Sequence, residues 1–268
     1  MNTNLHLNLS NSVIIADFDG TLINAKVMTG EKAGTAVPSI ISILRDHKVL
    51  NAEYSREAQA LADFYKSIEK DVSVPFEEKW QAMNDWWTKH FDVLISHNLK
   101  REHIRKAANN QNITLRSGTR ELINYAKENN IPFIIFSASG IGYDSIKFVL
   151  EKEELDFENV VIISNQFVFD ENGLAISRNE PVVHSLAKTG TFLMTTKAKD
   201  AIADRKEVLV IGDSLHDITM SEGAGFEKVV SVGIANDVSE DNVKKYESTF
   251  DMVLKDGESL KKAMQVFS

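Results

Sequence analysis

The chain has 268 residues, a formal net charge of −9, and apolar and charged fractions of 43% and 26%, so it can bury a sizeable core in one large domain or two small ones. The acidic balance without a long basic run argues against extended nucleic acid as a partner, and the lack of cysteine excludes disulfides and thiol chemistry. The first twelve residues carry no Lys or Arg, unlike a signal peptide, and no apolar run approaches bilayer-spanning length, so the expectation is a soluble, cytoplasmic protein without a membrane partner.

The first element is the apolar, β-branched run Val13-Ile14-Ile15-Ala16, a buried strand ending in Asp17-Phe18-Asp19-Gly20-Thr21-Leu22. Alternation along extended chain predicts Asp17 and Asp19 on one side and Phe18 on the other. Gly20 allows a tight turn, beyond which Thr21 offers a hydroxyl and an amide to a phosphate. Two neighbouring acids repel unless a cation or proton lies between them, and hard oxygen ligands suit Mg2+, so Asp17 and Asp19 are both candidate metal ligands.

From about residue 24 to 112 the pattern is helical, apart from a loop from Thr29-Gly30 to Pro38. Pro38 to Leu44 is an apolar stripe, Ser55 to Glu69 a helix, and Pro75 opens another that carries Trp80, Met83, Trp86 and Trp87. Leu99 to Ala108 is a fourth. The expected organisation is therefore a core of residues 1–23 and 114–268 with an all-helical insertion at 24–113. After Gly118, helices alternate with strands: helix Thr119–Asn130, strand Ile131–Phe136, helix Ser145–Glu154 and strand Val160–Ser164. A hairpin around Asp170-Glu171-Asn172-Gly173 follows, then a helix from Thr189 to Ala203, strand Glu207–Ile211, and short strands Val229–Gly233 and Met252–Leu254. This alternation predicts an α/β fold with a mostly parallel sheet covered on both faces.

In such sheets the ligand lies beyond the carboxyl ends of the strands. Three apolar runs here end in groups suited to phosphate chemistry. Asp17 is the candidate nucleophile, able to form an aspartyl-phosphate, and Asp19 the candidate acid/base. Ser137 and the amides after it, including that of Ala138, can bind phosphoryl oxygens, although a helix N-cap would use the same hydroxyl. Asp213 would complete a Mg2+ site with Asp17, while Asp217 is either a supporting group or an exposed first-turn carboxylate, with Ser214 beside it. Lys188 is the candidate cation, unless it is one more solvated surface lysine. Trp86 and Trp87 fit either packing or a platform for a flat ring, and His90, His184 and His216 lack zinc-site spacing.

Together Asp17, Asp19, Gly20, Thr21, Ser137, a Lys, and Gly212-Asp213 with Asp217 resemble the motifs of the haloacid dehalogenase superfamily of phosphohydrolases. That resemblance implies a Rossmann-like core, a helical cap inserted after the first motif, Mg2+ and an aspartyl-phosphate mechanism. More of the chain resembles the pyrimidine 5′-nucleotidase (cytosolic 5′-nucleotidase III) family: Ile68-Glu69, Glu77-Glu78-Lys79, Trp86-Trp87-Thr88-Lys89, Phe136-Ser137-Ala138, the hairpin, and His184 with Lys188. The likeness implies hydrolysis of small nucleoside 5′-monophosphates such as CMP and UMP, and of 7-methyl-GMP. It implies Lys188 as the phosphate-binding lysine, Glu69 as a contact to the nucleobase and an aromatic near Trp87 to enclose it. His90 stands where the family has a cap serine, the loop after Ser137 is one residue longer, and Gly20 replaces a bulkier residue. The alternatives are another small phosphate ester, such as phosphoserine or a sugar phosphate, and phosphotransfer to a nucleoside.

Overall fold

The computed structural model describes residues 5–26, 34–37, 39–46, 49–71 and 73–268. Strand β1 (Ser12–Ala16) leads into four helices, α1 (Ile40–Asp46), α2 (Ala52–Lys70), α3 (Phe76–Ser96) and α4 (Arg101–Ala108). The chain continues with α5 (Thr119–Glu128), β2 (Phe133–Phe136), α6 (Gly142–Lys152) and β3 (Val160–Ile163). The hairpin strands β4 (Phe167–Phe169) and β5 (Ala175–Arg178) precede the short helices α7 (Gly190–Leu193) and α8 (Ala198–Ile202). Last come β6 (Glu207–Gly212), β7 (Lys228–Ala235), α9 (Glu240–Glu247) and β8 (Met252–Lys255). Thr29, Gly30 and Pro38 of the expected loop lie outside the described residues.

Six strands form one parallel sheet in the order β3-β2-β1-β6-β7-β8, while β4 and β5 pair separately and antiparallel. β1 is buried along its whole length, as a parallel strand covered on both faces must be. Ile14, Phe133, Ile135, Leu209 and Ile211 face one hydrophobic cluster, and Val13, Ile15, Ile134, Val208 and Val210 face the other. The first cluster also takes in Ile43, Tyr54, Phe91 and Ile104 from the four helices after β1, so insertion and sheet share apolar contacts.

Three differences from the sequence expectations have local causes. The helix expected over Thr189–Ala203 splits into α7 and α8 because Thr195 and Thr196 turn their hydroxyls back onto the carbonyls of Phe192 and Leu193, both at 2.7 Å. Helix α9 lacks a legible stripe, since only Val243 and Tyr246 of its eight residues are buried. β7 runs longer than expected, because Ile234 and Ala235 continue the pairing with Leu254 and Lys255 of β8. No helix among the described residues is long and apolar enough to cross a membrane.

Candidate active site

The register of the sheet gathers four strand ends. Ala16 pairs with Ile211 on one side and Ile135 on the other, and Gly212 pairs with Gly233. Asp17 follows β1, Ser137 follows β2, Asp213 follows β6 and Asn236 follows β7. The backbone N–H of Asp17 still donates to Ile211 O at 2.9 Å, and that of Ser137 to Ile163 O at 3.0 Å. Two glycines allow the groups beyond the strands to crowd together. Gly20 sits at φ +72°, and a Cβ there would lie 2.2 Å from Asp213 Oδ2; a Cβ on Gly212 would lie 2.3 Å from that of Asp217.

Asp17, Asp213 and Asp217 each bring a carboxylate oxygen to within 4.8 Å of the others. Lys188 Nζ donates to Asp17 Oδ1 and to Asp217 Oδ1, both at 2.6 Å, and only 4% of the lysine is exposed. Asp217 is thus neither an exposed carboxylate nor remote from the centre. It is buried in a turn capped by Ser214, whose backbone N–H donates to Asp217 Oδ2 at 3.0 Å. Asp213 has a different partner, accepting from Asn236 Nδ2 at 2.9 Å.

The carboxylate that joins Asp17 and Asp213 among the described residues is that of Asp217, not that of Asp19. β1 ends at Ala16, and Asp19 already lies in the turn, so strand alternation does not govern its direction. Its Oδ1 is buried without a hydrogen-bond partner, and the residue lines a neighbouring cavity. Thr21 is buried with its hydroxyl unpartnered. Ser137 is buried as well and does not cap α6, whose N-cap is Ile141.

Burial governs the charges. It pushes Asp17 up to about 6, against the pull of Lys188 and with a further push from Asp217. Asp19 is raised to about 7 by burial and by the charge of Asp17. Burial, then the charges of Asp17 and Asp217, hold Asp213 well above the usual carboxylate range. For Lys188 burial favours the neutral amine, yet the two carboxylates outweigh it and hold the lysine above its ordinary value. Three clustered carboxylates, two buried and one half-buried, with one ammonium between two of them form a donor set that a small divalent cation fits, since it supplies the missing charge to hard oxygen ligands.

Over Asp19 lies a cavity of about 270 Å³ between the strand-end loops and the helices. Its α2 wall is the i, i+4 row Tyr54, Ala58, Ala62, Lys66, with Glu69 at the end. Trp86, Trp87 and His90 line it from α3. Trp87 Nε1 donates to Ala138 O at 3.2 Å and His90 Nε2 donates to Gly140 O at 2.9 Å, tying α3 to the loop after β2. Burial draws His90 down to about 4, so it stays neutral. Trp86 is also packed, stacking on Tyr65 with ring centroids 5.9 Å apart, so the two readings of the tryptophans are compatible.

Lys188 and Glu69 are linked through one short segment. Ser185 Oγ donates to Glu69 Oε1 at 3.2 Å, and Leu186 packs on the helical cluster of Ala62, Tyr65, Met83 and Trp86. Sequence reasoning missed Ser185, Asn236 and Arg116. None stands in a recognisable motif, and each acts across a long separation in the chain.

A family profile described as Pyrimidine 5'-nucleotidase (UMPH-1) matches residues 25–268. The chain belongs to this family. Among relatives of the family, the human protein named 7-methylguanosine phosphate-specific 5'-nucleotidase is 30% identical over 248 residues, covering 92% of this chain and 80% of that one. The Drosophila melanogaster protein of the same name is 31% identical over 249 residues, covering 92% and 76%. The crystal structure of cytosolic 5'-nucleotidase IIIB bound to cytidine superposes with a TM-score of 0.84 at 30% identity, covering 97% of this chain and 84% of that chain. A phosphoserine phosphatase (phospho-aspartyl intermediate analogue) superposes at 0.53 with 20% identity, over 96% of this chain and 98% of that one, a likeness of fold alone. The chain is therefore a phosphoric monoester hydrolase of the 5′-nucleotidase type on a haloacid dehalogenase-like α/β fold.

Proposed function

We propose that this chain is a Mg2+-dependent, cytoplasmic 5′-nucleotidase that hydrolyses nucleoside 5′-monophosphates, CMP and UMP first and 7-methyl-GMP among them, through an aspartyl-phosphate on Asp17. The observation that carries this reading is the Lys188 ammonium between Asp17 and Asp217, together with a cavity lined by Asp19 at one place and by Glu69 and two tryptophans at others. Asp17, Asp213 and Asp217 would hold Mg2+, which would offset the charge of the phosphate and let it approach a carboxylate. The Asp17 carboxylate attacks phosphorus and the bond to the nucleoside O5′ breaks. Asp19, raised to about 7, is still substantially protonated at neutral pH and gives that proton to the leaving oxygen. Asp19 then takes a proton from water, which attacks phosphorus and breaks the bond to Asp17. Lys188, with Thr21, Ser137 and the Ala138 amide, binds the phosphoryl oxygens.

Residues 24–113 act as the cap in this reading. The Glu69 carboxylate accepts a hydrogen bond from a base that presents a donor, and Trp87 and His90 close the wall around it. The relatives' names support both a nucleotide and a 7-methylated purine as substrates. Phosphate release from CMP, UMP, 7-methyl-GMP, AMP and phosphoserine, with Mg2+ or with EDTA, tests it. Turnover confined to nucleotides and dependent on Mg2+ is expected; equal or better turnover of phosphoserine would replace the nucleotide reading.

A further inference from the structure

Asp213 is the carboxylate of the cluster that Lys188 leaves alone, and what holds it comes from a fourth strand end. Asn236, directly after β7, uses its side-chain amide three ways. Nδ2 donates to Asp213 Oδ2 at 2.9 Å and to the backbone oxygen of Gly20 at 3.0 Å, and Oδ1 accepts from the Arg116 guanidinium at 2.5 Å. Arg116 is only 3% exposed. The same guanidinium nitrogen donates to Gly20 O at 2.8 Å, and Arg116 Nε donates to Thr21 O at 3.0 Å. The backbone of Asn236 is fixed as well, since its carbonyl accepts from Lys26 Nζ at 2.9 Å, a lysine paired with Asp256 at 2.8 Å.

The arrangement has one sense only. An amide flipped by half a turn would set its oxygen against the Asp213 carboxylate and the Gly20 carbonyl, and would offer an N–H to the Arg116 guanidinium. Two acceptors would then face acceptors and a donor would face a donor. Arg116 therefore fixes which atom of Asn236 points at Asp213. An arginine suits the post because its planar fork can reach the side-chain oxygen and two backbone oxygens together, as a lysine cannot.

We infer that Asn236, locked by Arg116, is a positioning residue that orients the Asp213 carboxylate for the divalent cation and couples it to the Gly20–Thr21 turn next to Asp19. This rests on the proposed metal site and goes beyond it, because neither residue is among the motif residues Asp17 to Thr21, Ser137, Lys188, Gly212, Asp213 and Asp217. A carboxylate with no fixed donor must be oriented by the cation itself, at a cost in affinity. Outer groups of this kind are worth 10–100-fold in metal affinity.

The test is direct binding of Mg2+ by calorimetry to metal-free enzyme without substrate, for wild type, Asn236→Ala and Arg116→Lys. Asn236→Ala should raise the Mg2+ dissociation constant about 10–100-fold. Arg116→Lys should raise it less, and KM for CMP at saturating Mg2+ should change little in either variant. Asn236→Ser, which loses the reach but leaves a smaller hole, serves if the alanine variant does not fold. Wild-type Mg2+ affinity in a folded Asn236 variant overturns the inference, while the nucleotidase reading stands if the wild type still turns over CMP with Mg2+. A wild type that binds no Mg2+ overturns both.

Discussion

Lys188 Nζ lies 2.6 Å from one oxygen of Asp17 and 2.6 Å from one oxygen of Asp217. The lysine is the ammonium that neutralises this pair, and it also stands where a phosphate would need a cation. Stability and catalysis therefore rest on the same side chain. Removing one partner of a buried ion pair costs about 3–5 kcal/mol, because the remaining charges are left uncompensated. Lys188→Ala should lose about that much in urea unfolding with EDTA at pH 8, and its turnover should fall by at least two orders of magnitude. The loss should shrink towards pH 5, where protonation of Asp17, raised to about 6, relieves the repulsion between the pair. An equal loss at both pH values would contradict this account of the pair.

Asp19 predicts a pH profile. As leaving-group acid it must be protonated, so hydrolysis of CMP should fall as pH rises through about 7, while ionisation of Asp17 near 6 sets the acid limb. Esters with good leaving groups need no proton and should lose the alkaline limb. The same shift bears on stability. An acid raised from 3.8 unfolded to about 7 folded binds more protons in the native state between those values, so stability declines as pH rises through that window. Asp19→Asn should therefore raise Tm at pH 8 in EDTA and change it little near pH 4. A lower Tm at pH 8 would contradict the burial argument.

Part of this site is legible in the sequence. The run from Val13 to Ala16 followed by Asp17, Asp19, Gly20 and Thr21 fixes a strand and what stands at its end, because hydrophobic burial and a short-range turn decide both. The sheet follows from the alternation of apolar strands and helices. Asp217 was not decided by its spacing, because four residues after Asp213 set a distance along the chain and not a burial. The Ser214 cap turned it inward. Lys188 is a candidate by its place between the hairpin and the third acidic strand end, and only the family likeness sets it firmly apart from a solvated surface lysine. Asn236 and Arg116 were illegible: an Asn after a strand and an Arg in a turn are ordinary, and their contacts to Gly20 span 216 and 96 residues. Long-range hydrogen bonds between generic polar residues leave no local pattern to read.

Glu69 predicts selectivity. Its carboxylate is held by Ser185 at 3.2 Å and lines the cavity at the end of α2, where the proposed function has it meet the base. Glu69→Ala should reduce hydrolysis of CMP more than that of p-nitrophenyl phosphate, by about 1.5–3 kcal/mol in kcat/KM for a charge-assisted hydrogen bond. Parallel losses on the two substrates would show that the cap does not read the base through this residue.

Metal binding should appear in stability without any substrate. A cation that binds only the folded chain raises stability by about 2.7 kcal/mol at a hundred times its dissociation constant. Mg2+ should therefore raise the wild-type Tm measurably, and Asp213→Asn should remove most of that increase. An undiminished Mg2+ effect in Asp213→Asn would take this carboxylate out of the metal site.

The most direct test of the central claim is phosphate release from CMP by wild type and Asp17→Asn, measured side by side with saturating Mg2+. The neutral amide keeps the size of the carboxylate but cannot attack phosphorus. The account predicts steady release by the wild type and none above background by Asp17→Asn, with the variant folded by circular dichroism. Near-normal release by Asp17→Asn, or no release by the wild type, would contradict it.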